Sequence, residues 1–546
     1  MAKYVYGIDL GTTYSCIARI NDNGSPEVIK NKEGLNTTPS VVFFDGKEVV
    51  VGRVAKDNTI LEPENTISFV KTLMGKSDFA INYDGRDITP AEISSYILRK
   101  VANDAADITG QEVKDVVITV PAYFGAAERD ATEKAGKLAD LNVLSIISEP
   151  VAAAIYYGVT NQTEEKNILI YDLGGGTFDV TVMKVKPGTI EVICAEGNHD
   201  LGGKNWDGNI QAYLEEQFRE QSGFDGELDN SDLQDLALKA EKAKMELSER
   251  ESTKIPMAFQ GSKARVELTR EKFDELTTTE FLDLTIALTD KAIETAKNKG
   301  INVDQILLVG GSTRMPQVSR TLKSKYGLEP AILDPDEAVA KGAAIYATDV
   351  YVNGKGDITV NSGEEGNDEN KPVGELPPLV GPSNGGGSTK PITTIFSTTK
   401  TYGVKLLTQV GRELQPRIFN LILKNTAMPD GSITGVQEAG VVEDNQPSIL
   451  LEIYESDSDA NEMEVIDKLK LGEVELIAPP GIKRSDRVFM SLVLDTSGKL
   501  HVHGEAEVNG VRKEVDVDLE AKGFMSEEKF EEIKDEMKKS GLVMQR

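Results

Sequence analysis

Short apolar runs that end in glycine set the pattern of this chain. Ile168–Tyr171 is one: four apolar residues in a row, then Asp172, Leu173, the triplet Gly174, Gly175, Gly176, and after it Thr177 and Asp179. A run so short and so rich in β-formers predicts a buried strand, and the glycines let the backbone turn tightly with its N–H groups free to meet an anion. The same order recurs near the N-terminus, where Asp9-Leu10-Gly11-Thr12-Thr13 follows the apolar stretch that starts at Tyr4. Self-similarity at that separation predicts duplicated half-domains. If the halves face each other, two phosphate-holding turns close on one nucleotide and Asp9 and Asp172 converge on one cation. Magnesium suits such a site because it takes oxygen ligands, keeps most of its waters and is shared with substrate phosphates. ATP is the ligand this arrangement predicts.

Strand and helix patterns alternate through residue 352. The stretch from Pro90 to Ile97 is helical in period, VVITV (116–120) reads as a buried strand stopped by Pro121, and a long helical run spans Ala126 to Ala139. From 353 to 390 the composition turns to Gly, Ser, Asn, Glu and Pro, a mix that cannot bury enough apolar surface to order itself, so this stretch reads as a flexible acidic linker. Between 391 and 522 short strands with turn residues recur, which predicts an all-β sandwich, with a hairpin over Leu492–Leu500. Residues 523–546 hold SEEKFEEIKDEMKKSG, a capped helix with acids early and lysines late, in agreement with the helix dipole. The expected chain is therefore multi-domain, and 546 residues with 39% hydrophobic content are enough for several cores.

The formal charge of -30 argues against nucleic acid or an anionic membrane as a principal partner, since both would repel it. Only Cys16 and Cys194 occur, both in apolar surroundings, so no disulfide framework is implied and each reads as a small buried hydrophobe. The start MAKYVYG lacks a basic segment before a long apolar run, and no window approaches a membrane span, so the expected compartment is the cytoplasm. His199, His501 and His503 have no metal-ligand spacing; the last two alternate along a strand, which reads as one surface face.

The motifs GIDLGTTYS, NTISFVK, VITVPAYF, SIISEPVAAAIYYG, YDLGGGTFDV, EKAKMELS, LLVGGSTRMP and DPDEAVAKGAA, in that order, resemble the ATPase domain of the seventy-kilodalton heat-shock (DnaK-type) chaperones over about residues 3 to 350. The resemblance implies an actin-like fold of two α/β lobes around a cleft, followed by a peptide-binding β-domain, and hydrolysis of ATP to ADP that regulates binding of unfolded or extended apolar polypeptides. It implies that Lys71 positions the attacking water and the γ-phosphate, that Glu149 is the carboxylate near metal and water, and that Pro150 lies in the hinge region. Gly11, Thr12, Thr13 and Tyr14, with Gly174, Gly175, Gly176 and Thr177, would meet the phosphates. Asp9, Asp172 and Asp179 would complete the metal and water arrangement, with potassium as a further ion. Glu241, Lys244 and Ser248, spaced to share one helix face, would hold the nucleoside together with Gly310, Gly311, Ser312, Arg314 and Asp336.

The departures from the family pattern are informative. Met245 stands where the family commonly has an arginine or lysine on the adenine, which removes a cation–π contribution. Ser145 and Ser148 replace an arginine and an asparagine usual in members that recruit J-domain co-chaperones; a nucleotide-exchange factor remains an expected partner. Trp206 replaces a phenylalanine and reads as core. The family's leucine-rich linker has no plain counterpart, Leu376–Val380 being the nearest apolar cluster. NTAMP, EDNQPSILLEIYES and LDTSGKLHVHGEAEV resemble the family's peptide-binding β-domain. By position Val404, Leu407, Ile449 and Leu451 would line its pocket, with Ala439 where a phenylalanine is common. The short C-terminal helix stands in place of a multi-helix lid, so bound peptide is expected to leave faster. Two alternatives stand beside this reading: a β-domain that engages one specific partner under ATP control, and a sugar or acetate kinase, for which the ATPase half shows no obvious small-acceptor site.

Overall fold

The computed structural model describes residues 4–76, 79–160, 165–353, 393–410, 413–496, 498–519, 525–540 and 542–544. The linker expected over 353–390 begins at a residue that closes the helix Ala338–Asn353, and the rest of it, with Leu376–Val380, lies outside the described residues.

The repeat read from the two glycine turns is a repeat of whole sheets. In the first lobe Tyr6–Asp9 pairs parallel with Asp115–Val120 and antiparallel with Tyr14–Ile20, and Asn142–Ser148 and Pro26–Val28 add outward from these. In the second lobe Lys166–Leu173 pairs parallel with Gln305–Val309 and antiparallel with Phe178–Lys186, with Ala331–Ile332 and Thr189–Asn198 beyond. The hairpin registers match: Asp9 lies opposite Cys16, and Asp172 opposite Asp179. These strands are covered on both faces, which is why they read as unbroken apolar runs rather than as alternation. Each lobe has its own core. A third cluster joins them, uniting Val117 and Ile147 of the first lobe with Ile168 and Leu307 of the second through Ala152, Ala153 and Ala343.

Those alanines belong to two helices, Glu149–Thr160 and Ala338–Asn353, that cross between the sheets. The crossing is close enough that a Cβ on Gly342 would lie 1.7 Å from the Ala152 carbonyl oxygen. Cys16 and Cys194 are both buried, and Trp206 is fully enclosed among apolar neighbours, as their contexts predict.

The C-terminal half is a sandwich of a five-stranded and a four-stranded sheet. Its core gathers Tyr402, Leu451, Ile453, Leu492 and Val502, and the expected hairpin is present, Arg487–Asp495 pairing antiparallel with Leu500–Val508. The first strand after the linker, Thr393–Ser397, leaves the sandwich sheets and pairs parallel with Thr189–Glu191 at the edge of the second lobe. An edge strand carries a row of unpaired N–H and C=O groups, and the added strand satisfies them. The two halves also meet through the Asn425 side-chain carbonyl, which accepts from the Ala195 N–H at 3.0 Å, and through Lys424, which pairs with Glu196 at 3.1 Å.

The terminal helix, Glu527–Lys539, is capped by the Ser526 hydroxyl, which accepts from the Lys529 N–H at 3.1 Å. It docks on the first lobe. Phe530 and Ile533, one turn apart on one face, pack on Leu138, while Lys134 donates to the Met525 carbonyl and Val543–Met544 adds a parallel strand to Glu48–Val49. The helix is too short and too charged to persist alone, so this docking holds it. Phe530→Ala removes the largest anchor, worth about 3 kcal/mol by analogy with core truncations. Amide exchange across 527–539 is then expected to quicken about 100-fold, with no change in the second lobe. Unchanged protection of those amides in a hydrogen-exchange measurement would show that the helix is held by other means.

Candidate active site

The two glycine turns face each other and interlock. A Cβ on Gly175 would sit 2.4 Å from the Thr13 side chain, and one on Gly176 would sit 2.5 Å from Thr12 Cγ2, so only glycine admits the threonines of the opposite turn. The second turn is fixed by the Gly174 N–H to Thr177 carbonyl bond at 3.0 Å, by the Gly203 N–H on the Gly174 carbonyl at 2.9 Å, and by the Ser312 hydroxyl on that same carbonyl at 2.9 Å. The first is held by Ser40, whose hydroxyl donates to the Gly11 carbonyl at 2.8 Å. Thr12, Thr13, Gly174, Gly175, Gly176, Thr177 and Ser312 are thus one neighbourhood, although they come from three distant parts of the chain.

Beneath the turns lies an excess of negative charge. Asp172, Asp179 and Glu149 are all buried, and Asp9 opens only partly to the cleft. Burial, reinforced by the charge of Glu149, pushes the Asp9 carboxyl up to about 7. The same two causes in the same order raise Asp172 and Asp179 well above the usual carboxylate range. The Thr119 hydroxyl donates to Asp9 at 3.0 Å, while Asp179 Oδ1 has no hydrogen-bond partner among the described residues. Among the described residues one ammonium group stands against these four acids: Lys71, buried and paired with Glu149. Lys71 is placed by a turn at Val70–Leu73 entered through Phe69, whose φ of 59° is left-handed, an uncommon backbone state for a bulky residue and one that marks functional positions. Glu149 opens the helix that follows Asn142–Ser148, so both partners sit at element ends facing the cleft.

This donor set fits a hard divalent cation: oxygen ligands, an orphaned carboxylate oxygen and uncompensated charge. Among the described residues no three acidic, histidine or cysteine side chains converge closely enough to hold an ion by themselves. The fit is therefore to an ion shared with phosphates and water.

At the other end of the cleft, Glu241 is held by Lys56 at 2.7 Å, and the Lys56 ammonium also donates to the Tyr14 hydroxyl at 3.0 Å. This pair spans the two lobes. Lys244 is occupied by the Gly203 carbonyl at 3.0 Å and by Asp207 at 2.7 Å, and Ser248 donates to the Lys244 carbonyl at 3.2 Å. Arg314 pairs with Asp336, and Gly310 and Gly311 approach Asp172 and Asp336 respectively. Met245 is exposed. Sequence reading missed Ser40, Lys56, Thr119 and Asp207. Thr119 left a signal, a lone hydroxyl inside the apolar run VVITV that is fully buried and so needs a partner; Lys56 left none.

The residues named for a peptide pocket are spread between core and surface. Val404 and Leu451 are buried in the sandwich core, Ile449 packs between its two clusters, and Leu407 is exposed. His501 sits on an outer sheet face, its ring nitrogens meeting Asp518 at 2.9 Å and Asp516 on the neighbouring strand.

Comparison with known proteins bears on this geometry. A family profile described as Hsp70 protein matches residues 5–80 and 76–358. The chain is 36% identical over 546 residues to the chaperone protein DnaK of Thermosipho africanus, an alignment covering 98% of this chain and 83% of that protein. It is 35% identical over 547 residues to the chaperone protein DnaK of Thermotoga maritima, covering 98% and 84%.

Proposed function

The chain belongs to the Hsp70 family and is an ATP-hydrolysing molecular chaperone that binds unfolded polypeptides, and from that premise we propose which of its residues carry each step. The observation that supports the assignment is the buried Lys71–Glu149 pair set among Asp9, Asp172 and Asp179 beneath two interlocked glycine turns. ATP lies with its phosphates between those turns, on the backbone N–H groups and the hydroxyls of Thr12, Thr13 and Thr177. Lys71 orients a water for attack on the γ-phosphorus, and Glu149 orients Lys71. The new P–O bond forms as the bond to the β,γ-bridging oxygen breaks, and the water's proton passes to a neighbouring carboxylate. Phosphoryl transfer asks mainly for positioning and charge neutralisation, so no covalent nucleophile is needed. A magnesium ion shared with the phosphates would be held on the side of Asp9, Asp172 and Asp179 and would supply that neutralisation, with potassium as the second ion of the same proposal. The adenosine end lies by Glu241, Lys244, Ser248 and Arg314, with the Lys56–Glu241 bridge holding the lobes closed over it.

Extended apolar segments are bound by the sandwich at Val404, Leu407, Ile449 and Leu451. Because two of these are core residues here, the sandwich must open locally to admit a ligand. The nucleotide signal has a short physical route to it: Asp179 pairs across the sheet with Gly197, and the adjacent Glu196 holds Lys424 of the sandwich. A nucleotide-exchange factor is a proposed partner, Ser145 and Ser148 leave a standard J-domain contact without its usual arginine and asparagine, and the proposed location is the cytoplasm. Among the described residues no helix is long and apolar enough to cross a membrane. No observation favours the narrower reading of a switch for one partner. The deciding experiment measures dissociation of a fluorescent apolar peptide from the full chain in ADP and after adding ATP. Faster release with ATP is expected; absence of peptide binding in both states would overturn the assignment of the sandwich.

A further inference from the structure

A buried serine stands behind the first glycine turn. Ser40 follows the two-residue strand Thr38–Pro39, which pairs antiparallel with Tyr14 and Ser15 at the exit of that turn. The Asn31 side-chain amide donates to the Thr37 carbonyl at 3.1 Å and to the Thr38 hydroxyl at 3.2 Å, and beyond Ser40 the chain enters the largely buried strand Val42–Asp45, so its position is fixed from both sides. From there Ser40 gives the turn two donors. Its N–H reaches the Thr13 carbonyl at 2.8 Å, and its hydroxyl reaches the Gly11 carbonyl at 2.8 Å. With its proton directed at Gly11, that hydroxyl is the acceptor for Ser15 Oγ, 2.9 Å away. Ser15 and Ser40 are 1% and 2% exposed, so bulk water does not stand in for either.

Peptide planarity turns this grip into a direction. The Gly11–Thr12 peptide is trans, and in a trans peptide the N–H of one residue points opposite to the carbonyl of the residue before it. Holding the Gly11 carbonyl from behind therefore aims the Thr12 N–H to the other side, toward the cleft where the Thr12 side chain approaches Gly176 of the opposite turn. Hydrogen bonds in a chain polarise one another, so Ser15 O–H, Ser40 O–H, Gly11 C=O and Thr12 N–H form one line that strengthens when negative charge stands at its end. We propose that Ser40 is a positioning residue for ATP hydrolysis, acting through the Gly11–Thr12 peptide to keep the Thr12 N–H aimed at a phosphate oxygen, a role that rests on the placement of the phosphates between the two turns. The second turn is held differently: its Gly174 and Gly175 carbonyls take donors from Gly203, Ser312 and Lys204, so two separate segments share the task. On the first turn both carbonyls go to one residue.

The test is single-turnover hydrolysis of ATP by the full chain, with calorimetric titration of ADP and of adenosine. Ser40→Ala is expected to slow hydrolysis about tenfold and to weaken ADP about tenfold while adenosine binds as it does to the parent, because only the phosphates meet the turn. A general loosening of the fold would weaken adenosine and ADP alike, and that result counts against the role. Ser15→Ala removes an equally buried hydroxyl one bond further back and is expected to slow hydrolysis no more than about twofold, since the Ser40 donor remains. Ser40→Cys nearly keeps the shape of the side chain and weakens the donor, so it carries the test if the alanine variant does not fold, with hydrolysis expected to fall about fivefold. Hydrolysis and ADP binding like the parent's, in Ser40→Ala or in the cysteine variant that replaces it, overturn the proposal, and so does an equal loss in Ser15→Ala, which would make the two serines ordinary packed core. A parent that binds ADP no better than adenosine overturns the phosphate placement itself and this role with it, so the two failures read differently.

Discussion

Replacing Lys71 with methionine is expected to slow single-turnover ATP hydrolysis about 10²–10³-fold while changing ATP affinity by no more than about threefold, because a preorganised charge acts on the transition state far more than on bound substrate. Among the described residues Lys71 is the one ammonium group beside the four acids, so no neighbour there can take its part. The substitution has a second effect that must be separated from the first. It leaves Glu149 buried with its partner gone, and losing one side of a buried pair destabilises by about 3–5 kcal/mol. The double variant Lys71→Met, Glu149→Gln removes both charges and should recover most of that stability without recovering the rate. If the double variant hydrolyses ATP within about tenfold of the parent, the pair is structural and the chemistry lies elsewhere in the cleft.

Gly342→Val is expected to cost the ATPase domain about 3 kcal/mol or more. Its Cβ would fall 1.7 Å from the Ala152 carbonyl oxygen, a backbone atom of the facing helix that cannot rotate away. The helices must then separate, and with them the apolar cluster that ties the lobes together. Gly208→Ala is the matched control: it lies within the helix Gly203–Ser222, its added Cβ would meet nothing within 4 Å, and replacing an open helical glycine gains about 0.5–1 kcal/mol. Urea midpoints followed by a probe in the ATPase domain should move in opposite directions. Equal midpoints for Gly342→Val and the parent would mean that the crossing is loose enough to yield, and that the lobes are not joined through it.

Much of this protein was written in local pattern. The two turns at Asp9 and Asp172 predicted paired half-domains, and the sheets repeat strand for strand, down to Asp172 standing opposite Asp179 where Asp9 stands opposite Cys16. Turn residues between short strands predicted the sandwich and its hairpin, and the Ser526 cap and charge order predicted the last helix. Strand length, glycine placement and helix capping are properties of a few neighbouring residues, so a linear reading reaches them.

What no window of residues holds is which surfaces meet. Lys56 carries no motif and becomes a bridge between the lobes because Glu241, far along the chain, is folded opposite it. The segment Thr393–Ser397 lies within the stretch that reads as a sandwich, yet the open edge at Thr189–Glu191 takes it into the ATPase sheet. Val404 and Leu451 look like pocket residues in sequence and are core in the folded sandwich, since apolar character serves a core and a binding groove equally well. The terminal helix shows its charges in sequence, but only the fold turns Phe530 and Ile533 toward Leu138 and makes a solvated helix a docked one. The sequence by itself determined the two glycine turns, the repeat and the β-sandwich, because these rest on local backbone preference. The tertiary structure decided the closure of the lobes and the docking of the two halves, because each depends on pairs of residues brought together only by folding.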